Sequence, residues 1–114
     1  MRVMSVAIGD PRVLLPAQIT KDAVIYVRAL ITHPMATGLA RDADGHPIKP
    51  HFINDVVIRY GEADVAHFTW TSGISKDPYI AFPLRATREA PLTITWKDNE
   101  GGVFHQTVDV RFSA

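Results

Sequence analysis

The chain has 114 residues, enough for one domain that buries its own core without metal or disulfide staples. Its 12 basic and 12 acidic residues cancel and form no basic run, which argues against a surface that tracks nucleic-acid phosphates. With no cysteine, disulfides, thiolate catalysis, thiolate-bound zinc and iron–sulfur clusters are excluded within this chain.

The opening "MRVMSVAIGDPRVLLPA" contains two short strand candidates, "VMSVAI" and "RVLLP". Gly9-Asp10-Pro11 interrupts its apolar stretch too early for a secretory leader, so no signal peptide is expected. No run is long enough to predict a membrane-crossing helix. Next comes "AVIYVRALI", where strict alternation puts Ile25, Val27, Ala29 and Ile31 on one face and Arg28 on the other. The connection over residues 31–53 follows, rich in proline, with two glycines and three histidines. Unstructured connections longer than about 12–15 residues are uncommon in compact domains and tend to be functional or disordered. Its middle is polar and expected to be mobile; its ends, His33-Pro34-Met35 and Pro50-His51-Phe52, are expected to be anchored.

"HFINDVVIRY" groups Phe52, Val56, Ile58 and Tyr60, and Gly61-Glu62 then supplies a tight turn. "DVAHFTW" groups Ala66, Phe68 and Trp70. Asp77-Pro78 begins "YIAFPL", with Ile80, Phe82 and Leu84 together. "LTITW" and "VFHQTVDVRF" flank Asp98-Asn99-Glu100-Gly101-Gly102, whose residues tolerate positive φ, so this pair reads as a hairpin. No apolar stripe has the helical period. Seven or eight short alternating strands predict an all-β chain, an immunoglobulin-like antiparallel β-sandwich, as a single domain over residues 1–114. Its expected interior includes Ile25, Val27, Val56, Ile58, Phe68, Trp70, Phe82, Ile94, Trp96 and Val108.

Candidate chemistry is sparse. His33, His46, His51, His67 and His105 lack the paired spacing of a zinc enzyme and read as loop or surface histidines, not metal ligands. Ser5, Ser72, Ser75 and Ser113 sit in no glycine-flanked nucleophile elbow. Gly101-Gly102 closes a hairpin and opens no helix, so it is not expected to cradle phosphate. No catalytic, cofactor-binding or metal residues are assigned. The connection over residues 31–53 is either a decorated loop or an interaction loop. Zero net charge does little to keep chains apart, which suits a constitutive protein partner.

"HPMATGLARDADGHPIKPHFI", "SGISKDPYIAF" and "LTITWKDNEGG" together resemble the signatures of the SoxZ family, the cysteine-free subunits of SoxYZ sulfur-oxidation carrier complexes. The resemblance runs from about residue 23 to residue 102, departing at Ala36, where the family usually has Glu, and at Ala40, where Lys is usual. It implies an immunoglobulin-like subunit that is not an enzyme and forms a heterodimer with SoxY, whose C-terminal cysteine carries sulfur intermediates of thiosulfate oxidation. It also implies transient contact with other Sox enzymes, and periplasmic action by export together with a signal-bearing partner. His33, Pro34, Met35, Lys76, Pro78 and Tyr79, at strand ends within the resembling segments, are the expected protein-interaction residues. Alone, the chain is expected to form a homodimer or a larger species. The competing readings are a serine or histidine enzyme and an immunoglobulin-like binding or adhesion module unrelated to sulfur.

Overall fold

The computed structural model describes residues 8–113. Seven strands form two antiparallel sheets, and no helix occurs among the described residues. One sheet holds β1 (Gly9–Leu14), β2 (Val24–Thr32) and β5 (Tyr79–Arg85), in the order β1-β2-β5. The other holds β3 (Ile53–Tyr60), β4 (Ala63–Thr69), β6 (Ala90–Asp98) and β7 (Val103–Val110), in the order β4-β3-β6-β7. Of the two N-terminal candidates, the second lies within and just beyond β1; "VMSVAI" lies outside the described residues except for Ile8.

The alternating pattern builds this interior directly. Ile25, Val27, Ala29 and Ile31 of β2 are buried, as are Leu92, Ile94 and Trp96 of β6. Cross-strand register lines up Phe68, Val56, Trp96 and Phe104 as one row across the inner face of the wider sheet. Val56 and Trp96, at its centre, are buried; Phe68 and Phe104, on the edge strands, are only half-buried. The expectation that Phe68, Trp70 and Val108 lie fully inside is therefore corrected: all three are half-buried. Phe68 and Val108 lie on β4 and β7, the edge strands of the four-stranded sheet, and Trp70 lies just past the end of β4.

One apolar residue breaks the alternation. Ile53 has the opposite parity to Val56 and Ile58 but is fully buried. The β3–β6 register slips between Ile53 and Asp55, and such a bulge re-aims the side chains that precede it. The bulge thereby turns the entry of β3, and the loop before it, toward the end of the sandwich.

Candidate functional site

The segments that carry the family resemblance meet at that end. His33, just beyond β2, is fully buried. Its backbone N–H donates to Asp77 Oδ1 at 3.0 Å, and the Asp77 N–H donates back to the His33 carbonyl at 2.9 Å. Its ring reaches across to the β6–β7 turn, with Nε2 3.1 Å from Asp98 Oδ2. His51 comes from the far end of the long connection and places its own Nε2 2.7 Å from the same oxygen. The two imidazoles meet edge to face, 4.6 Å apart.

Asp98 is the centre of this knot. Its Oδ1 accepts the N–H groups of Glu100 at 3.0 Å and Gly102 at 2.7 Å, which fixes the turn. Gly102 has to be glycine for a steric reason: a β-carbon there would lie 2.7 Å from Asp98 Oδ2. Burial alone pushes the Asp98 carboxyl upward. Hydrogen bonds from His33, the Gly102 amide, His51 and the Glu100 amide outweigh it and hold the group at about 2. The neighbouring Asn99 clamps the exit of the connection, accepting the Phe52 N–H at 2.7 Å and donating to the Pro50 carbonyl at 3.0 Å.

Met35 completes the arrangement. It is buried with φ at 46°, a left-handed conformation that costs a residue with a β-carbon about 1–2 kcal/mol. Its N–H donates to His33 Nδ1 at 3.1 Å, and its Sδ receives the Ile53 N–H at 3.2 Å. That first bond decides the tautomer: an Nδ1 that accepts carries no proton, so Nε2–H is the donor to Asp98.

Several expectations change here. His33 and His51 are not surface or loose-loop histidines; they are structural, tied to a carboxylate distant in sequence. The connection is not structureless either. Ala36 and His51 exchange backbone bonds at 2.7 and 3.0 Å, and Arg41 pairs with Pro47 further out. Residues 39–50 thus form a two-limbed finger, exposed throughout, whose tip is held by Asp42 Oδ1 accepting the Asp44 and His46 amides. Of the six expected interaction residues, His33, Met35 and Pro78 are buried and offer no surface in this conformation. Pro34, Lys76 and Tyr79 are exposed. Lys76 and Tyr79 flank a shallow groove of about 500 Å³ with Trp70, Ile74 and Ile80 on its walls.

His33, His51 and Asp98 lie close enough together to suggest a metal centre. The donor set does not fit one. A cation on His33 Nε2 would require the ring proton on Nδ1, where the Met35 N–H already points. Among the described residues no hydrogen bond joins a histidine to a serine; Ser113 Oγ accepts the Ile19 amide instead. His67 and His105 are exposed on the outer face of the wider sheet, as their parity predicts.

Fold and site together define an immunoglobulin-like sandwich whose most elaborate polar cluster joins loops and activates no nucleophile. The chain belongs to the SoxZ family: the profile described as sulphur oxidation protein SoxZ matches residues 13–109. Its role therefore lies in sulfur oxidation. Among curated proteins, none matches the sequence. Among solved structures the chain is similar to a superoxide reductase (neelaredoxin) from Ignicoccus hospitalis, with a TM-score of 0.69, 14% identity, and 93% of this chain and 82% of that one covered. It is also similar to the sulfur carrier protein SoxY from Chlorobium limicola f thiosulfatophilum, with a TM-score of 0.60, 13% identity, and coverage of 89% and 73%. A superoxide reductase from Archaeoglobus fulgidus gives 0.59, 16%, and coverage of 88% and 89%. At these identities the likeness is one of fold.

Proposed function

We propose that the chain is the non-catalytic subunit of a sulfur-carrier complex. In this reading it forms a heterodimer with a SoxY-like subunit whose cysteine holds the covalent sulfur, and it presents that subunit to the enzymes that load and strip it. The observation that carries the reading is the family match over residues 13–109. Chemistry supports the division of labour. Covalent sulfur transfer needs a thiolate that can attack a sulfur electrophile and later leave. This chain has three methionines and no cysteine, and a thioether forms neither persulfide nor disulfide. Periplasmic action, through export together with a partner that bears a signal, belongs to the same proposal.

A redox enzyme is the second reading, suggested by the likeness in fold to superoxide reductases, with His33, His51 and Asp98 as candidate metal ligands. It is opposed by the Met35 amide seated on His33 Nδ1.

Intact-mass spectrometry of the complex after loading with thiosulfate or polysulfide tests the proposal. Every adduct is expected on the partner's cysteine and none on this chain. A sulfur adduct on this chain that survives denaturation would show that the roles are wrongly assigned.

A further inference from the structure

The two outer faces of the sandwich are chemically unlike. Across the wider sheet, register gives the rows His67–Val57–Thr95–His105 and Asp64–Arg59–Thr93–Thr107, with the Thr93 and Thr107 hydroxyls 2.8 Å apart. That face is mostly polar, with Val57 in its middle and Val103 exposed at its margin. Across the three-stranded sheet the outward rows are Arg12–Leu30–Tyr79, Leu14–Arg28–Ala81, Tyr26–Pro83 and Val24–Arg85. Tyr26 is 64% exposed and Tyr79 54%, with Val24 and Leu14 also exposed. An apolar sheet face of this extent, set with tyrosine and arginine, has the composition of a protein-binding hot spot.

Charge indicates the occupant. The chain is neutral overall, but its charges are sorted between the sheets. The strands of the narrow sheet carry three arginines and one carboxylate, Asp10, which is paired with Arg12 at 3.2 Å. Those of the wide sheet carry Arg59 and Lys97 against four aspartates. Among the described residues Arg28 and Arg85 have no ion-pair partner. A second copy docked through the same face would set arginine against arginine. One docked head to tail would meet the wide sheet's outer face, which offers carboxylates to the arginines but sets polar Thr93, Thr95 and Thr107 against the tyrosines and aliphatic side chains. The complementary surface is apolar with carboxylates, on a different chain.

Resting on the reading above, we propose that the outer face of β1, β2 and β5 is the docking face for the carrier subunit. Tyr26 and Tyr79 act as its anchors, and Arg28 and Arg85 pair with carboxylates of that subunit. The contact continues round Tyr79 into the groove beside Trp70 and Lys76.

The test is titration calorimetry and sedimentation of the full chain with its cognate SoxY-like subunit. Arg28→Glu/Arg85→Glu should weaken binding about a hundredfold or more, and Tyr26→Ala/Tyr79→Ala about tenfold or more. All four side chains point outward, so melting temperatures should stay near wild type. The milder Arg28→Gln/Arg85→Gln pair serves if the glutamates disturb folding. Thr95→Glu/Lys97→Glu, on the opposite face, should change affinity less than about threefold. Unchanged affinity in the narrow-sheet variants, or loss in the wide-sheet pair alone, overturns the docking face. Self-association of the wild-type chain that Arg28→Glu/Arg85→Glu abolishes would make a second copy the occupant and also overturn it. If wild type binds no carrier subunit at all, the reading of the complex itself fails.

Discussion

Replacing Asp98 with alanine should destabilise the domain by about 3–5 kcal/mol at pH 7, the cost of breaking a buried charged hydrogen-bonded cluster from one side. The loss arises from what is left behind. The His33 Nε2–H, fully buried, and the turn amides of Glu100 and Gly102 lose their acceptor together. His51 is partly exposed and can turn to water, so it contributes less. The pH dependence adds a second readout. The folded-state carboxyl titrates at about 2, below its ordinary 3.8, so its contribution is complete above the unfolded value and is lost as pH falls toward 2. Urea melts should therefore show the gap between wild type and Asp98→Ala narrowing by about 2 kcal/mol between pH 5 and pH 2. A gap that stays constant through that window would mean Asp98 acts by shape alone.

Trp96→Ala should cost about 3–5 kcal/mol, because an indole that is 1% exposed leaves a cavity at the centre of the sandwich. Phe68 stands in the same cross-strand row but on the edge strand β4, half-buried. Phe68→Ala should cost about 1–2 kcal/mol, in proportion to the area it withdraws from water. Urea denaturation of both variants checks the ranking. Equal losses would show that the edge is covered as well as the centre.

The difference between these two residues shows where sequence reasoning stopped. Period-two alternation carries the identity of an inner face, because every second side chain of Ile25 to Ile31 and of Leu92 to Trp96 must point one way. It carries no information on sheet width or strand order, so it could not separate Trp96 from Phe68. Ile53 was equally illegible, since a bulge shifts parity without altering composition. The knot is hidden from sequence for a further reason. His33, His51, Asp77 and Asp98 have no mutual spacing that a motif could encode; only the fold brings them together. The signal that existed was indirect: the histidines and aspartates lay inside the segments that resembled a family, next to prolines and glycines that fix backbone direction. For Tyr26 and Arg28 parity fixes only the outward direction, which is the same for a side chain in water and one under a partner.

The span of the knot also bears on how the chain reaches its native state. The links from His33 to Asp98 and from His51 to Asp98 bridge 65 and 47 positions, and that from His33 to Asp77 bridges 44. Each closes a large loop, and its entropy must be spent before the bond returns anything. Strand pairs such as Val27–Phe82 and Val56–Trp96 close loops of similar size, so what sets the knot apart is that no strand pairing depends on it, and it is expected to close on the native side of the folding barrier. His33→Ala should then leave the refolding rate near that of wild type and appear mainly as a steeper escape from the folded state. The buried histidines would then set how long the sandwich persists once formed, not how quickly it forms.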